Sequence, residues 1–273
     1  MAGYRKTPKR YVARRIFLAA IVLVATAGIA YFVAGLFPNA ESENSPVNIQ
    51  PPGQTEDAPQ PHPVLTEPSE PDDELEPDEP APEPHPDDEW RLMLVGPDNP
   101  IGQDFSPPQL ETVGNFQVDS RIAPALNEMI ASAQSEGIAL LIVSGYRPAW
   151  RQSELHNQQI ERFLGQGHSR EEAVAVASTI VLPPGTSEHQ TGLAVDILTP
   201  NHQTFDDAFA YTPAGRWLAE NSWRYGFILR YPRDSIEITG VIYEPWHFRY
   251  VGIEHAQAIF EGGYIFEEYL AGR

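Results

Sequence analysis

The stretch Ser187-Glu188-His189-Gln190-Thr191-Gly192-Leu193-Ala194-Val195-Asp196 decides how this chain is read. Two metal-donor side chains, His189 and Asp196, stand seven residues apart with Gly192 between them. Ala194 to Leu198 reads as a strand that carries Asp196, entered by a loop that carries His189. Placed in that way, an imidazole and a carboxylate converge on one ion, and the strand holds its donor rigidly. Gly192 lets the backbone turn sharply or approach a neighbour closely. Taken alone, the spacing does not separate a ligand from an ordinary loop histidine.

A second cluster, Glu244-Pro245-Trp246-His247, shifts the balance. Pro245 excludes a mid-helix reading, so Glu244 and His247 fit a turn that leads into a strand. His247 supplies a third donor, and Glu244 lies beside the metal without binding it. Two imidazoles, one carboxylate donor and one spare carboxylate are what a zinc hydrolase needs: three protein ligands, an open position for water, and a base next to that water. The structural alternatives are a surface acid at Glu244 and a plain core residue at Trp246. Arg147 ends Ser144-Gly145-Tyr146-Arg147, directly after the apolar run Ile138 to Val143. A guanidinium at the end of a buried strand can clamp a substrate carboxylate or stabilise an oxyanion. Arg230 follows Phe227 to Leu229 in the same manner and reads either as structural or as a support to the site.

Working outward, the pattern from Trp90 onward is globular. Arg91 to Val95 reads as a short strand, and Pro97 to Pro108 as loop. A helix is expected from about Asp119, with Asp119 or Ser120 as its cap and Ile122, Leu126, Met129, Ile130 and Ala133 on one face. Ile138 to Val143 is a buried strand, and Ala149 to Leu164 a helix opened by Pro148. Ser169 to Glu172 resembles a capping box for a helix running to Ile180. Thr212-Pro213 opens another helix, to Tyr225, closed by Gly226. Phe227 to Leu229 and His247 to Val251 are strands, and Ile253 to Glu261 is the last helix. Strands and helices do not alternate strictly, so the class is α+β.

The 273 residues divide by charge. Residues 1–37 hold six basic side chains and no acid, residues 38–90 hold 16 acids and no Lys or Arg, and the low net charge of −20 comes mostly from that acidic segment. The basic N-terminus, 1–15, precedes an uncharged run, Ile16 to Phe37, whose helix would span about 33 Å, enough for a bilayer core. Basic residues before it and acids after it place the N-terminus inside and the remainder outside. A cleaved signal peptide is the alternative, and it too exports the remainder. Residues 38–89 are rich in Pro and acid and cannot offset their conformational entropy, so a disordered linker is expected, with a reach of roughly 160 Å as polyproline II. It is either a stalk or a passive connector. His62 and His85 within it are taken as incidental. Residues 90–273 form the expected catalytic domain. Cysteine is absent, which excludes disulfides, thiol nucleophiles and lipidated-cysteine anchors. No basic patch supports nucleic-acid binding.

Ser144-Gly-Tyr-Arg147 with Gln152, then Ser187-x-His189-x-x-Gly192-x-x-x-Asp196, then Glu244-Pro-Trp-His247, resemble the motifs of VanY-type zinc D-alanyl-D-alanine carboxypeptidases. That superfamily also holds D,D-dipeptidases and sonic-hedgehog-like domains. The resemblance runs from about Trp90 to Gly263. It implies a compact domain with a central antiparallel sheet flanked by helices. It also implies Zn2+ held by His189, Asp196 and His247, with Glu244 as base and Arg147 stabilising the substrate. Ser187 matches a substrate contact, and Gln152, Tyr146 and Trp246 match cleft positions. Pro148-Ala149 departs from the Ser-Tyr of many relatives, which affects local pocket shape.

The implied reaction releases D-alanine from peptidoglycan stem peptides ending in D-Ala-D-Ala. A monomer is expected, anchored in the cell membrane by a single span and facing the cell wall. The rival readings are an L,D-carboxypeptidase, a D,D-dipeptidase or an endopeptidase on the same substrate, and a zinc-bearing wall-binding module without turnover.

Overall fold

The computed structural model describes residues 90–273. The expected membrane span (16–37) and linker (38–89) lie outside the described residues. Among the described residues, no helix is long and apolar enough to cross a membrane.

A four-stranded antiparallel sheet carries the domain. Its strands are β3 (Leu141–Ser144), β4 (Ala194–Leu198), β5 (Phe227–Leu229) and β6 (His247–Tyr250), in spatial order β3-β4-β6-β5. The expected α+β class with a central antiparallel sheet is what the described residues form. Every residue of β4, the strand between β3 and β6, is buried. On one face Val195, Ile197 and Phe248 pack against Leu126 and Met129 of α1 (Ala123–Ser135) and Trp217 and Leu218 of α4 (Pro213–Asn221). Burying these large side chains contributes roughly 1.5–3 kcal/mol each. On the other face point Asp196 and His247, which alternate with those core residues along their strands. The register pairs Asp196 with His247 directly across β4 and β6, and Ser144 with Asp196 across β3 and β4.

Helices α2 (Ala149–Gly165) and α3 (Arg170–Ala177) form a second small core through Ile160, Phe163, Ala173 and Val176. The capping box at the start of α3 is present as expected, with Ser169 and Glu172 satisfying each other's backbone N–H. The helix stops at Ala177, three residues short of Ile180. Residues 213–225 split into α4 and a 3-10 turn, Ser222–Tyr225, closed by Gly226 at φ 81°. A short α5 (Ile236–Thr239) and α6 (Ile253–Gly262) follow.

Three further expectations need correction. Arg91 to Val95 is not a strand, since the carbonyls of Arg91 and Met93 are taken by the Arg249 guanidinium (3.0 and 2.8 Å) in place of a ladder partner. The helix expected near Asp119 starts at Ala123. Asp119 instead ends a hairpin strand and accepts hydrogen bonds from the Arg121 N–H (3.0 Å) and guanidinium. That hairpin, β1 (Leu110–Val113) with β2 (Phe116–Asp119), turns at Gly114-Asn115, a two-residue loop of ordinary hairpin chemistry. Finally, Ile253 to Glu261 is not the last helix, because α7 (Phe266–Ala271) follows and buries Phe266 and Tyr269 against Val251 and Ile259.

The hairpin seals the rim of the sheet through two close approaches. A Cβ at Gly145 would run into the Gln117 carbonyl. At Gly192, with φ 71°, a Cβ would lie 2.7 Å from the Asp119 nitrogen. Gly192→Ala is therefore expected to destabilise the domain by about 2 kcal/mol or more, lowering the midpoint of thermal unfolding by about 4–8 °C. Gly165→Ala, where a Cβ meets open space, is the control expected to leave the midpoint unchanged or raised. Equal midpoints for both variants in a calorimetric scan would contradict the assigned close approach.

Candidate active site

Three elements deliver the donors. A 3-10 turn, Glu188–Thr191, ends in the left-handed Gly192 and presents His189, while Asp196 sits mid-strand on β4 and His247 opens β6. The donor atoms of His189, Asp196 and His247 all lie within 4.8 Å of one another, and all three residues are buried. His189 Nε2 is 3.2 Å from Asp196 Oδ2, and His247 Nδ1 is 3.2 Å from Asp196 Oδ1. Even so, among the described residues Asp196 Oδ1 finds no hydrogen-bond partner of acceptable geometry. The three donor atoms lie close enough together to share one cation. A buried carboxylate oxygen left without a partner is costly unless a cation completes it.

The tautomers agree with this. His189 Nδ1 lies 2.8 Å from the Gly145 carbonyl, which only accepts, so Nδ1 carries the proton and Nε2 faces Asp196 as a lone pair. Burial, with the positive charge of Arg147 behind it, lowers the His189 pKa and keeps the ring neutral, as a metal ligand must be. His247 Nε2 lies 3.4 Å from Glu188 Oε2, which leaves Nδ1 to face the donor point. Burial works against ionising Asp196, but both histidines outweigh it and hold its carboxyl well below the usual range. Two nitrogens and one carboxylate oxygen form a borderline donor set of the kind that suits Zn2+.

Glu244 is buried beside the triad with Oε2 3.7 Å from His247 Nδ1. Burial pushes it up to about 8, with His247 and Arg147 pulling in the opposite direction. Arg147 follows β3 and places Nη2 3.8 Å from Asp196 Oδ2 and 3.4 Å from Ser144 Oγ. Its backbone N–H donates to the His189 carbonyl (3.0 Å), which ties the two loops together.

One cleft of about 690 Å³ takes in all nine residues singled out from sequence: Tyr146, Arg147, Gln152, Ser187, His189, Asp196, Glu244, Trp246 and His247. Two of them also serve the fold. Gln152 is buried in the cleft wall, where its Nε2 donates to the Leu182 carbonyl (2.5 Å). Trp246 belongs to the main core and meets Phe205 edge-to-face at 5.3 Å. Arg230 points away from the cleft into a buried ion pair with Glu188 (2.7 Å).

The sequence reading gave no role to Glu188 and passed over Arg249 and Tyr231. Glu188 is fully buried between Arg230 and Arg249, which outweigh the cost of burial and hold its carboxyl far below the usual range. The Tyr231 ring lies 4.8 Å from the His247 ring, tilted by 45°. An acid directly between Ser187 and His189 was the available signal, but its partners lie 42 and 61 residues away.

A three-donor site at the floor of a cleft, flanked by a carboxylate and a guanidinium, has the make-up of a single-metal peptidase centre. The model of the VanY family, D-alanyl-D-alanine carboxypeptidase, matches residues 115–253, just over half of the chain, and the chain belongs to that family. A D-alanyl-D-alanine carboxypeptidase of Enterococcus faecalis is 44% identical over 184 residues. That match spans 67% of this chain and 66% of the relative, slightly under two thirds of its length. A solved structure of a vancomycin-resistance D,D-pentapeptidase VanY variant in complex with Zn(II) is 43% identical with a TM-score of 0.60, covering 66% of this chain and 99% of that one. VanYB in complex with D-alanine-D-alanine is 42% identical with a TM-score of 0.61, covering 67% and 98%.

Asp196→Ala is expected to remove stoichiometric zinc from the purified protein, whereas Glu244→Ala keeps it. Metal analysis after dialysis against a weak chelator checks this, and zinc retained by Asp196→Ala would rule out that donor.

Proposed function

We propose that this chain is a zinc-dependent D,D-carboxypeptidase that removes the terminal D-alanine from peptidoglycan stem peptides. The observation that carries the proposal is the convergence of His189, Asp196 and His247, with Asp196 Oδ1 lacking a hydrogen-bond partner among the described residues, in the same cleft as Glu244 and Arg147. The relatives named D-alanyl-D-alanine carboxypeptidase, and the neighbours holding Zn(II) and D-alanine-D-alanine, support it.

Zinc, when bound by these three residues, supplies Lewis acidity that acidifies water and polarises the scissile carbonyl. The protein does the rest. Glu244 is the general base: its carboxylate accepts a proton from the attacking water and later passes it to the leaving amine of D-alanine. A proton affinity raised by burial suits that task, because the group must both take and return a proton near neutral pH. Arg147 remains cationic and faces the same space, where it holds the negative charge that develops on the carbonyl oxygen or the substrate's terminal carboxylate. Ser187, Gln152, Tyr146 and Trp246 shape the walls that orient the peptide.

The cleft also favours a substrate longer than a free dipeptide. It continues along one face of α2, past Leu155, Gln159 and Arg162 to Gln166. From Gln152 that face extends about 21 Å along the helix, against about 7 Å for an extended dipeptide. Amide side chains along such a wall can both donate to and accept from a peptide backbone.

We further propose that residues 16–37 anchor the chain in the membrane with the catalytic domain outside, on the strength of the charge asymmetry around that run. The domain acts there as a monomer on wall peptides.

Incubation with pentapeptide, tetrapeptide and D-alanyl-D-alanine should release D-alanine from the pentapeptide fastest. Preferential cleavage of the tetrapeptide would move the assignment to an L,D-carboxypeptidase, and preference for the dipeptide to a dipeptidase. Glu244→Gln is expected to lower kcat at least ~10³-fold with zinc content intact. A chelator should abolish activity until zinc is returned. For the anchor, the full chain should sediment with membranes and resist extraction by high salt and carbonate; recovery in the soluble fraction would refute it.

A further inference from the structure

Behind the donor triad lies a closed set of buried charges that the proposed reaction does not use. Glu188 Oε1 accepts from Arg230 Nε (2.7 Å) and from Arg249 Nη1 (2.9 Å). Its other oxygen, Oε2, is left to His247 Nε2 at 3.4 Å. Arg230 turns its two remaining nitrogens outward to Glu267 on α7, in a bidentate pair of 2.9 and 2.7 Å. Arg249 spends Nη2 on the carbonyls of Arg91 and Met93. Phe266, from the same helix as Glu267, lies 5.3 Å and 5.5 Å from the two guanidiniums. Two cations and two anions thus form a neutral group, and α7 supplies one of the anions.

An anion needed only to neutralise two arginines would be satisfied by them. Here the arginines converge on one oxygen and leave the second to the back of a donor imidazole. A carboxylate has no proton to give, so when a cation occupies the donor point it keeps the single imidazole proton of His247 on Nε2 and leaves Nδ1, which faces that point, as the donor. We infer that Glu188 is a positioning residue for His247, and that α7, through the Glu267–Arg230 pair, completes the charge arrangement that lets Glu188 hold that imidazole. This rests on the zinc reading above. It extends the site to a helix beyond residue 253, where the family match ends. Without Glu267, Arg230 would draw on Glu188 alone, and Oε2 would become a weaker acceptor for His247.

Glu188→Gln is the sharp test because it keeps the shape. With the amide oxygen retained by the two guanidiniums, the amide NH₂ faces His247 Nε2 and asks that nitrogen to accept. The imidazole proton then moves to Nδ1, where it blocks the metal. Using the full chain, zinc affinity is measured by competition with a chromophoric chelator, and the visible spectrum is recorded with Co(II) at saturation. The spectrum reports the ligand field and does not respond to fold stability alone. Glu188→Gln is expected to weaken zinc binding ~10–100-fold and to shift the Co(II) bands. Glu267→Ala, at the half-buried end of the chain of charges, is expected to weaken it by a few fold, whereas Glu261→Ala on the exposed face of α6 leaves it unchanged.

A folded Glu188→Gln protein with wild-type affinity and spectrum would overturn the inference. If that variant does not fold, Glu267→Ala decides: unchanged affinity and an unchanged spectrum overturn the role of α7 and of the charges it completes. A wild-type chain that takes up neither zinc nor cobalt is a different result and refutes the metal reading itself.

Discussion

Backbone hydrogen bonds between β4 and β6 place Asp196 directly opposite His247, and the site follows from that register. Side chains alternate along a strand, so a slip of one residue would carry His247 to the face now filled by Phe248 and bring an apolar ring into the cleft. The register is held from the far side. Val195, Ile197 and Phe248 are locked into the main core against α1 and α4, and they have no other face to occupy. The hydrophobic face of the sheet therefore positions the polar one. Two donors come from strands of the central sheet, and His189 comes from a turn.

That turn is secured differently. Its backbone meets the β1–β2 hairpin at Gly192, its His189 carbonyl accepts from the Arg147 N–H, and the His189 ring is pinned to the Gly145 carbonyl. The strand end that carries Arg147 thus also orients the first histidine. Between His189 and Ser187, Glu188 turns the opposite way and anchors the turn to Arg230 and Arg249. Buried ion pairs of this kind add little net stability, because desolvation consumes most of the Coulomb gain. Losing one member is costly, however, and the pairs impose a specific arrangement. In this domain the arrangement they impose is the back wall of the donor triad.

Much of the site could be read from residues alone because its parts are local. His189 and Asp196 share eight residues of chain, Glu244 and His247 share four, and Arg147 follows a plain apolar strand. The helix opened by Pro148, the capping box at Ser169 and the closing Gly226 also carry short-range signals. The misreadings share a different cause. Arg91 to Val95 has the composition of a strand, yet its carbonyls are claimed by Arg249 from more than 150 residues away. Asp119 has the look of a helix cap, but it serves its neighbour Arg121 at the end of a hairpin. Glu188 stood in the decisive stretch without a role, since nothing nearby shows that two arginines will surround it.

Sequence by itself determined the donor inventory, the spare acid and guanidinium, the α+β class and the segregation of charge along the chain. These are properties of residue type and short spacing, and local chemistry enforces them. Tertiary structure alone decided which strand lies beside which, which nitrogen of each histidine faces the donors, and that α7 closes the charge cluster behind them. Those features depend on pairings between distant segments, whose free energy is set by burial and register rather than by any single stretch.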